Sequence, residues 1–200
     1  VDLCRQVIHI AVWAVGIEEA RRFAKRLSED SAEMSVDERV IALEAYREVC
    51  TLSGLRFDRE TLTQILSELE AVTLDSVQTD GAKVILNLIE ARKCNRLKKT
   101  EEVQHSGPLR DRYLGAAMEA AGDSSNLRMM VHAEKALLFA EEGLHIESRK
   151  PRQQACEEAV EFACKVGDPF AEALGCDVVA AVWHTDLVIR LDWIERGWVG

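Results

Sequence analysis

The chain has 200 residues and a formal net charge of −10, with 48% hydrophobic and 30% charged residues. This length and composition indicate a globular chain that can bury a core without disulfides or metals, and they exclude an intrinsically disordered protein. The acidic balance disfavours nucleic acid as a partner, because phosphate backbones are repelled by a negatively charged surface.

No stretch of about 18 uncharged apolar residues is present, so no membrane-spanning segment is predicted. None of the six cysteines forms a Cys-x-x-Cys pair; they are Cys4, Cys50, Cys94, Cys156, Cys164 and Cys176. This scatter is typical of reduced, buried thiols in a cytoplasmic protein. We interpret residues 1–200 as a single all-helical repeat domain, and the absence of a starting methionine is compatible with its excision from a longer protein.

Apolar residues recur at intervals of three and four, which is the helical period, and about eight helices are predicted. The first two cover 2–15 and 18–27. The third begins at Ser35, because Ser35 and Glu38 have the spacing of a capping box. It runs to about residue 52, with four residues predicted to point inward: Val36, Val40, Leu43 and Cys50.

The fourth helix is capped by Asp58 and has one apolar face, made of Leu62, Ile65, Leu66, Leu69 and Val72. The fifth covers 81–98, with an inward face of Val84, Ile85, Leu88 and Ala91. Pro108 suits the first turn of the next helix, which ends at Ala121. Three more helices are predicted over 126–142, 151–166 and 169–185.

Two breaks between helices are alike and lie 45 residues apart, at Gly122-Asp123 and at Gly167-Asp168. In each, the glycine can adopt the left-handed C-cap conformation and the aspartate can cap the following helix. The second break follows Glu158-Ala-Val-Glu-Phe-Ala-Cys-Lys-Val and leads into Ala171-Glu-Ala-Leu. This stretch resembles the tetratricopeptide-type repeats of large bacterial signalling and transcription regulators. The resemblance covers residues 116–183, although the 45-residue spacing exceeds the usual repeat of about 34.

The resemblance implies an all-α fold of antiparallel helix hairpins, stacked as a right-handed solenoid of the tetratricopeptide type. Two stripes of small residues favour close helix packing independently, with Ala155, Ala159 and Ala163 beside Cys156 and Cys164. A compact helical bundle is the alternative, because short loops between antiparallel helices also produce one.

The function that the resemblance implies is binding of a protein or peptide, as the sensor or scaffold part of a bacterial regulator. Such modules bind in a concave groove built from the first helix of each pair, here 126–142 and 169–185. The candidate groove residues are Arg128, His132, Lys135, Asp177, His184 and Asp186. The alternatives are a compact bundle that senses a small apolar ligand and, with no motif behind it, an all-helical enzyme.

No catalytic residue, metal site or cofactor is predicted. Glu142 and His145 match the Glu-x-x-His motif of di-metal bundles, but Gly143 interrupts the motif and no second copy exists. The phosphate-loop, dinucleotide-binding, serine-hydrolase and zinc-protease motifs are all absent. A basic run between Arg92 and Lys99 is interpreted as a solvated helix end, where cations suit the helix dipole.

Overall fold

In a computed structural model of the chain, the structure describes residues 16–29, 34–52, 59–98 and 106–141, together with residues 154, 158 and 161. These residues form helices and turns without any strand, which confirms the all-α class for the described part. The helices are α1 (Ile17–Glu29), α2 (Val36–Leu52), α3 (Arg59–Glu70), α4 (Asp80–Lys98), α5 (Ser106–Ala121) and α6 (Ser125–Glu141), with a 3-10 turn at Leu74–Ser76. None of the described helices combines the length and the apolar character that crossing a membrane requires.

Most predicted helix boundaries that fall on described residues are confirmed. The fourth helix is an exception, because α3 ends at Glu70 and Val72, predicted on its apolar face, lies beyond it. The helices predicted over 18–27, 81–98 and 126–142 correspond to α1, α4 and α6, and their ends differ by a residue or two. The helix predicted at 2–15 and the complete helices predicted at 151–166 and 169–185 lie outside the described residues. Local signals suffice for these boundaries because helix termini are determined by the few residues that satisfy their free backbone groups.

The capping box that begins α2 is present. The Ser35 backbone N–H donates to Glu38 Oε2 at 2.8 Å, and the Glu38 N–H donates back to Ser35 Oγ at 3.3 Å. One inward residue of this helix was predicted wrongly. Val36 is 44% exposed, because it occupies the first helical position beside the cap, whereas Val40 is completely buried.

The break between α5 and α6 has the predicted glycine geometry and a different cap. Gly122 has a φ of +52°, in the left-handed region that favours glycine. α6 begins at Ser125, so Ser124 takes the cap position and the prediction of Asp123 as the cap is wrong. The Leu127 N–H donates to Ser124 Oγ at 3.4 Å.

Spatial proximity divides the chain into two compact units, Val1–Ile89 and Glu90–Gly200. In the first unit, α1 packs against α2 and α2 against α3. All residues of α4 from 84 to 89 are buried, so this part of the helix is enclosed on every side. The predicted inward residues Val84, Ile85 and Leu88 are therefore confirmed. The interpretation of residues 1–200 as a single domain stays a prediction.

In the second unit, α5 packs against α6. Its buried apolar residues include Leu114 and Ala117 on α5 and Val131 and Leu138 on α6. The packing of α5 on α6 positions the polar face of α6, which carries three of the candidate groove residues.

Candidate functional site

Three of the six candidate groove residues lie together on one face of α6. Arg128, His132 and Lys135 are spaced by four and three residues, which places their side chains in line along a helix. The other three candidates, Asp177, His184 and Asp186, lie outside the described residues. The structure therefore describes one half of the predicted groove.

One carboxylate of a later part of the chain lies against this face. Residues 154, 158 and 161 are helical, and their spacing of four and three residues puts them on one side of their own helix. Glu158 Oε2 lies 2.8 Å from His132 Nδ1. The amide of Gln154 donates to the other oxygen of Glu158 at 2.9 Å and so orients the carboxylate.

His132 is buried between these two elements and is only 8% exposed. Burial, together with the cations Lys135 and Arg128, lowers the pKa of His132 below its ordinary value of 6.5, although the carboxylates Glu158 and Glu161 act in the opposite direction. The Nδ1 side of the imidazole faces the Glu158 carboxylate of the later segment.

Arg128 and Lys135 are both half-buried. The Arg128 guanidinium donates to the carbonyl oxygen of Gly122 and lies 3.7 Å from the Asp123 carboxylate. This contact joins the first turn of α6 to the break that precedes it. Arg128 thus has a structural role in addition to its predicted position in the groove.

A second charged contact, which was not predicted from the sequence, joins α4 and α6 within the second unit. Arg92 Nε and one terminal nitrogen donate to the two oxygens of Glu134, each at 2.7 Å. The two side chains are 14% and 12% exposed. In such a bidentate pair, two parallel N–H groups of the guanidinium match the two oxygens of the carboxylate. No local pattern predicts it, because the partners are 42 residues apart.

The same contacts account for part of the basic run at the end of α4. Arg92 pairs with Glu134, and the Lys93 ammonium pairs with Glu90 one turn earlier. Both cations therefore sit beside carboxylates of this chain, so this pair of residues adds little net positive potential for a nucleic acid.

The described residues contain no cluster of three histidine, cysteine or acidic side chains that could hold a metal ion. Cys50 and Cys94 are buried, as predicted. Burial and the nearby carboxylate of Glu90 raise the pKa of the Cys94 thiol. A protonated, buried thiol is a poor nucleophile, so Cys94 has a packing role.

Comparison with known proteins finds no matching family model, no similar curated protein and no similar solved structure. The face of α6 and the segment opposite it are therefore interpreted from their geometry.

Proposed function

We propose that the chain is a helical module that binds a protein or a peptide, and that it is not an enzyme. The observation that carries the proposal is the face of α6. Arg128, His132 and Lys135 stand in line there, and the carboxylate of Glu158 lies 2.8 Å from the His132 imidazole. Helical modules commonly bind a partner helix against a row of side chains on one of their own helices.

The proposed architecture is a stack of helix hairpins of the tetratricopeptide type, with a compact bundle as the alternative. The packing of α1 on α2, α2 on α3 and α5 on α6 joins helices that are consecutive in sequence, as a stack of hairpins requires. The connection from α5 to α6 is only three residues long, at 122–124. A short connection favours helices that pack directly on each other.

The proposed partner presents carboxylates to Arg128 and Lys135, beside the position that Glu158 occupies. Both cations are half-buried, so a carboxylate that reaches them is partly shielded from water. Charge-assisted hydrogen bonds are stronger in such surroundings than on an open surface. The partner segment is expected to be helical, because the chain's own carboxylates on this face are spaced along a helix.

The test is selection from a library of helix-forming peptides on the immobilised full chain, followed by calorimetric measurement of the selected peptides. We expect saturable binding at one shared site. Arg128→Glu or Lys135→Glu should weaken it at least tenfold, which corresponds to about 1.4 kcal/mol. The matched control is Lys83→Glu, the same charge change on α4, which should leave the affinity unchanged.

Two results would contradict the proposal in different ways. Equal affinity of the parent chain and both α6 variants would place peptide binding on another surface. If no peptide shows saturable binding, the proposal that the chain is a peptide-binding module is wrong. Thermal unfolding of each variant shows whether a lost affinity reflects a lost fold.

The stacked architecture has its own test in small-angle X-ray scattering. A compact bundle of this length should have a radius of gyration of about 16 Å. A solenoid is elongated and should give a clearly larger value. A measured value at the compact limit would favour the bundle.

A further inference from the structure

Two rows of polar side chains with the same spacing meet beside α6. The α6 row is Arg128, His132 and Lys135, and the acceptor row is Gln154, Glu158 and Glu161. In each row the residues are separated by four and then by three positions, which places them on one face of a helix. The rows make contact at their middle members, where Glu158 Oε2 lies 2.8 Å from His132 Nδ1.

The two rows are complementary in charge. The α6 row has a guanidinium and an ammonium on either side of its histidine, whereas the acceptor row has two carboxylates and an amide. The Gln154 amide donates to the second oxygen of Glu158 at 2.9 Å, which orients that carboxylate. The charge of Glu161 also acts on the His132 ring. Opposite charges at equal spacing determine which helix fits along α6 and in which register.

The acceptor row is held against α6 by polar groups that remain close to water. His132 is buried, but Gln154 and Glu161 are exposed and the Glu158 side chain is 29% exposed. A helix face that belongs to a permanent core is apolar, whereas this row consists of polar groups only. Charged contacts that keep access to water contribute little net stability. A second helix that offers the same groups can therefore displace the acceptor row.

We propose that the acceptor row is a built-in competitor, which occupies in the free chain the place that the partner helix takes on the α6 row. The partner is then a helix with an amide or carboxylate at position i and carboxylates at i+4 and i+7. This inference rests on the proposed binding function and adds to it the pattern that the partner presents. The tethered competitor has an effective concentration on the order of millimolar. It lowers the apparent affinity by the fraction of chains in which the α6 row is open.

The test uses a synthetic peptide with the sequence of residues 151–166, with serine in place of both cysteines, titrated calorimetrically into the full chain. The parent chain should bind it weakly, because its own acceptor row competes. Glu158→Gln in the chain weakens that competitor and should tighten peptide binding about tenfold. The matched control is Glu119→Gln, the same charge change at an exposed position on α5, which should leave the affinity unchanged.

A second substitution shows whether the peptide binds at the α6 row. Adding Lys135→Glu to the Glu158→Gln chain should weaken peptide binding again by about tenfold, because the open row then lacks a cation for the peptide carboxylates. Equal affinities of the parent chain and Glu158→Gln would overturn the built-in competitor and leave the proposed binding function standing. If neither chain binds the peptide, the acceptor pattern is wrong, and the library selection decides the binding function separately.

Hydrogen exchange of the unmodified chain decides the question if Glu158→Gln does not fold. Addition of the peptide at saturating concentration should accelerate exchange in the chain's own residues 154–161, because they are displaced from α6. The serine substitutions distinguish the added peptide from the chain by mass. Fragments from α2 serve as the internal control and should keep their protection. Unchanged or increased protection of residues 154–161 at saturation would contradict the displacement.

Discussion

Different kinds of contact join the helices inside each of the two compact units. Among the described residues, fully buried large apolar side chains concentrate in the first unit: Val40, Val49, Leu69, Val84, Leu88 and Ile89. The second unit has Val131 in this class, and it joins its helices through the shielded pairs Arg92–Glu134 and His132–Glu158. The first unit also has a charged pair between helices, Arg39–Glu68, but its side chains are 47% and 33% exposed.

This difference matters because apolar burial and shielded charge do different things. Apolar contacts contribute free energy in proportion to area and tolerate small changes in how two helices meet. A buried charged pair contributes less net stability, but a mispaired arrangement is costly because a charge is left without its partner. We therefore expect the first unit to respond most to lost volume and the second to lost charge partners.

The largest expected effect is loss of volume in the first unit. Leu88 on α4 is completely buried, so Leu88→Ala should lower the free energy of unfolding by about 3 kcal/mol. The matched control is Leu74→Ala on the 3-10 turn, where the side chain is 37% exposed and the loss should stay under about 1 kcal/mol. Urea denaturation measures both, and equal losses would refute the apolar character of this core.

The second prediction concerns the charged pair in the other unit. Arg92→Ala leaves the Glu134 carboxylate, 12% exposed, without its two-pronged partner and should cost about 2–3 kcal/mol. Arg22→Ala breaks an exposed pair with Glu19 and should cost less than about 0.5 kcal/mol.

The double variant Arg92→Met/Glu134→Leu sharpens this second comparison. It removes both charges and should recover most of the stability that Arg92→Ala loses, because no buried carboxylate remains unpaired. Urea denaturation of the single and double variants provides the measurement. A double variant as unstable as Arg92→Ala would show that the pair contributes its own packing and attraction.

A smaller effect is expected at the turn between α5 and α6. Gly122→Ala should destabilise the protein by about 1 kcal/mol, because alanine is strained at a φ of +52° even though a Cβ there would meet no atom within 4 Å. Gly115→Ala, within α5 and equally unobstructed, should be neutral or stabilising by up to about 1 kcal/mol. Thermal denaturation of both variants gives the contrast. A stabilising Gly122→Ala would contradict the cap.

The last prediction concerns a polar contact of the first unit. The Gln78 N–H donates to Asp37 Oδ1 at 3.0 Å, and the Thr79 N–H donates to the same oxygen, just before α4 begins. Partial burial raises the pKa of Asp37, but hydrogen bonds from Thr79 and Gln78 outweigh burial and hold it below 3.8. The contribution of Asp37 is therefore present above pH 3.8 and is lost as the pH falls through its lowered value.

Asp37→Ala should accordingly cost about 1 kcal/mol at pH 7. The difference from the parent chain should shrink towards pH 3, which chemical denaturation at both pH values measures. Asp75→Ala, an exposed aspartate in the 3-10 turn, is the control and should change neither value. A cost for Asp37→Ala that does not change with pH would show that the carboxylate charge is unimportant.

Contacts and caps that involve residues within one or two helical turns of each other could be predicted from the sequence. The reciprocal bonds of Ser35 and Glu38, and the left-handed Gly122, depend on neighbours in the chain. The prediction was wrong for Val36, which occupies the first helical position beside the cap and is exposed there. It was also wrong for Asp123, because Ser124 is the residue immediately before α6 and accepts the cap hydrogen bond. Arg128, His132 and Lys135 lie in line on one face of α6, and their membership of a groove stays a prediction.

The sequence by itself determined the helical class, most described helix ends and the apolar faces, because helical period and capping are local properties. Only the tertiary structure decided which charged and polar groups meet. Glu134 is 42 residues from Arg92, Glu158 is 26 from His132, and Gln78 is 41 from Asp37. Each of these contacts depends on which helix faces pack together, and many carboxylates in an acidic chain satisfy the sequence pattern equally well. For Arg92 and His132, packing selects one partner because only that partner reaches a site largely shielded from water.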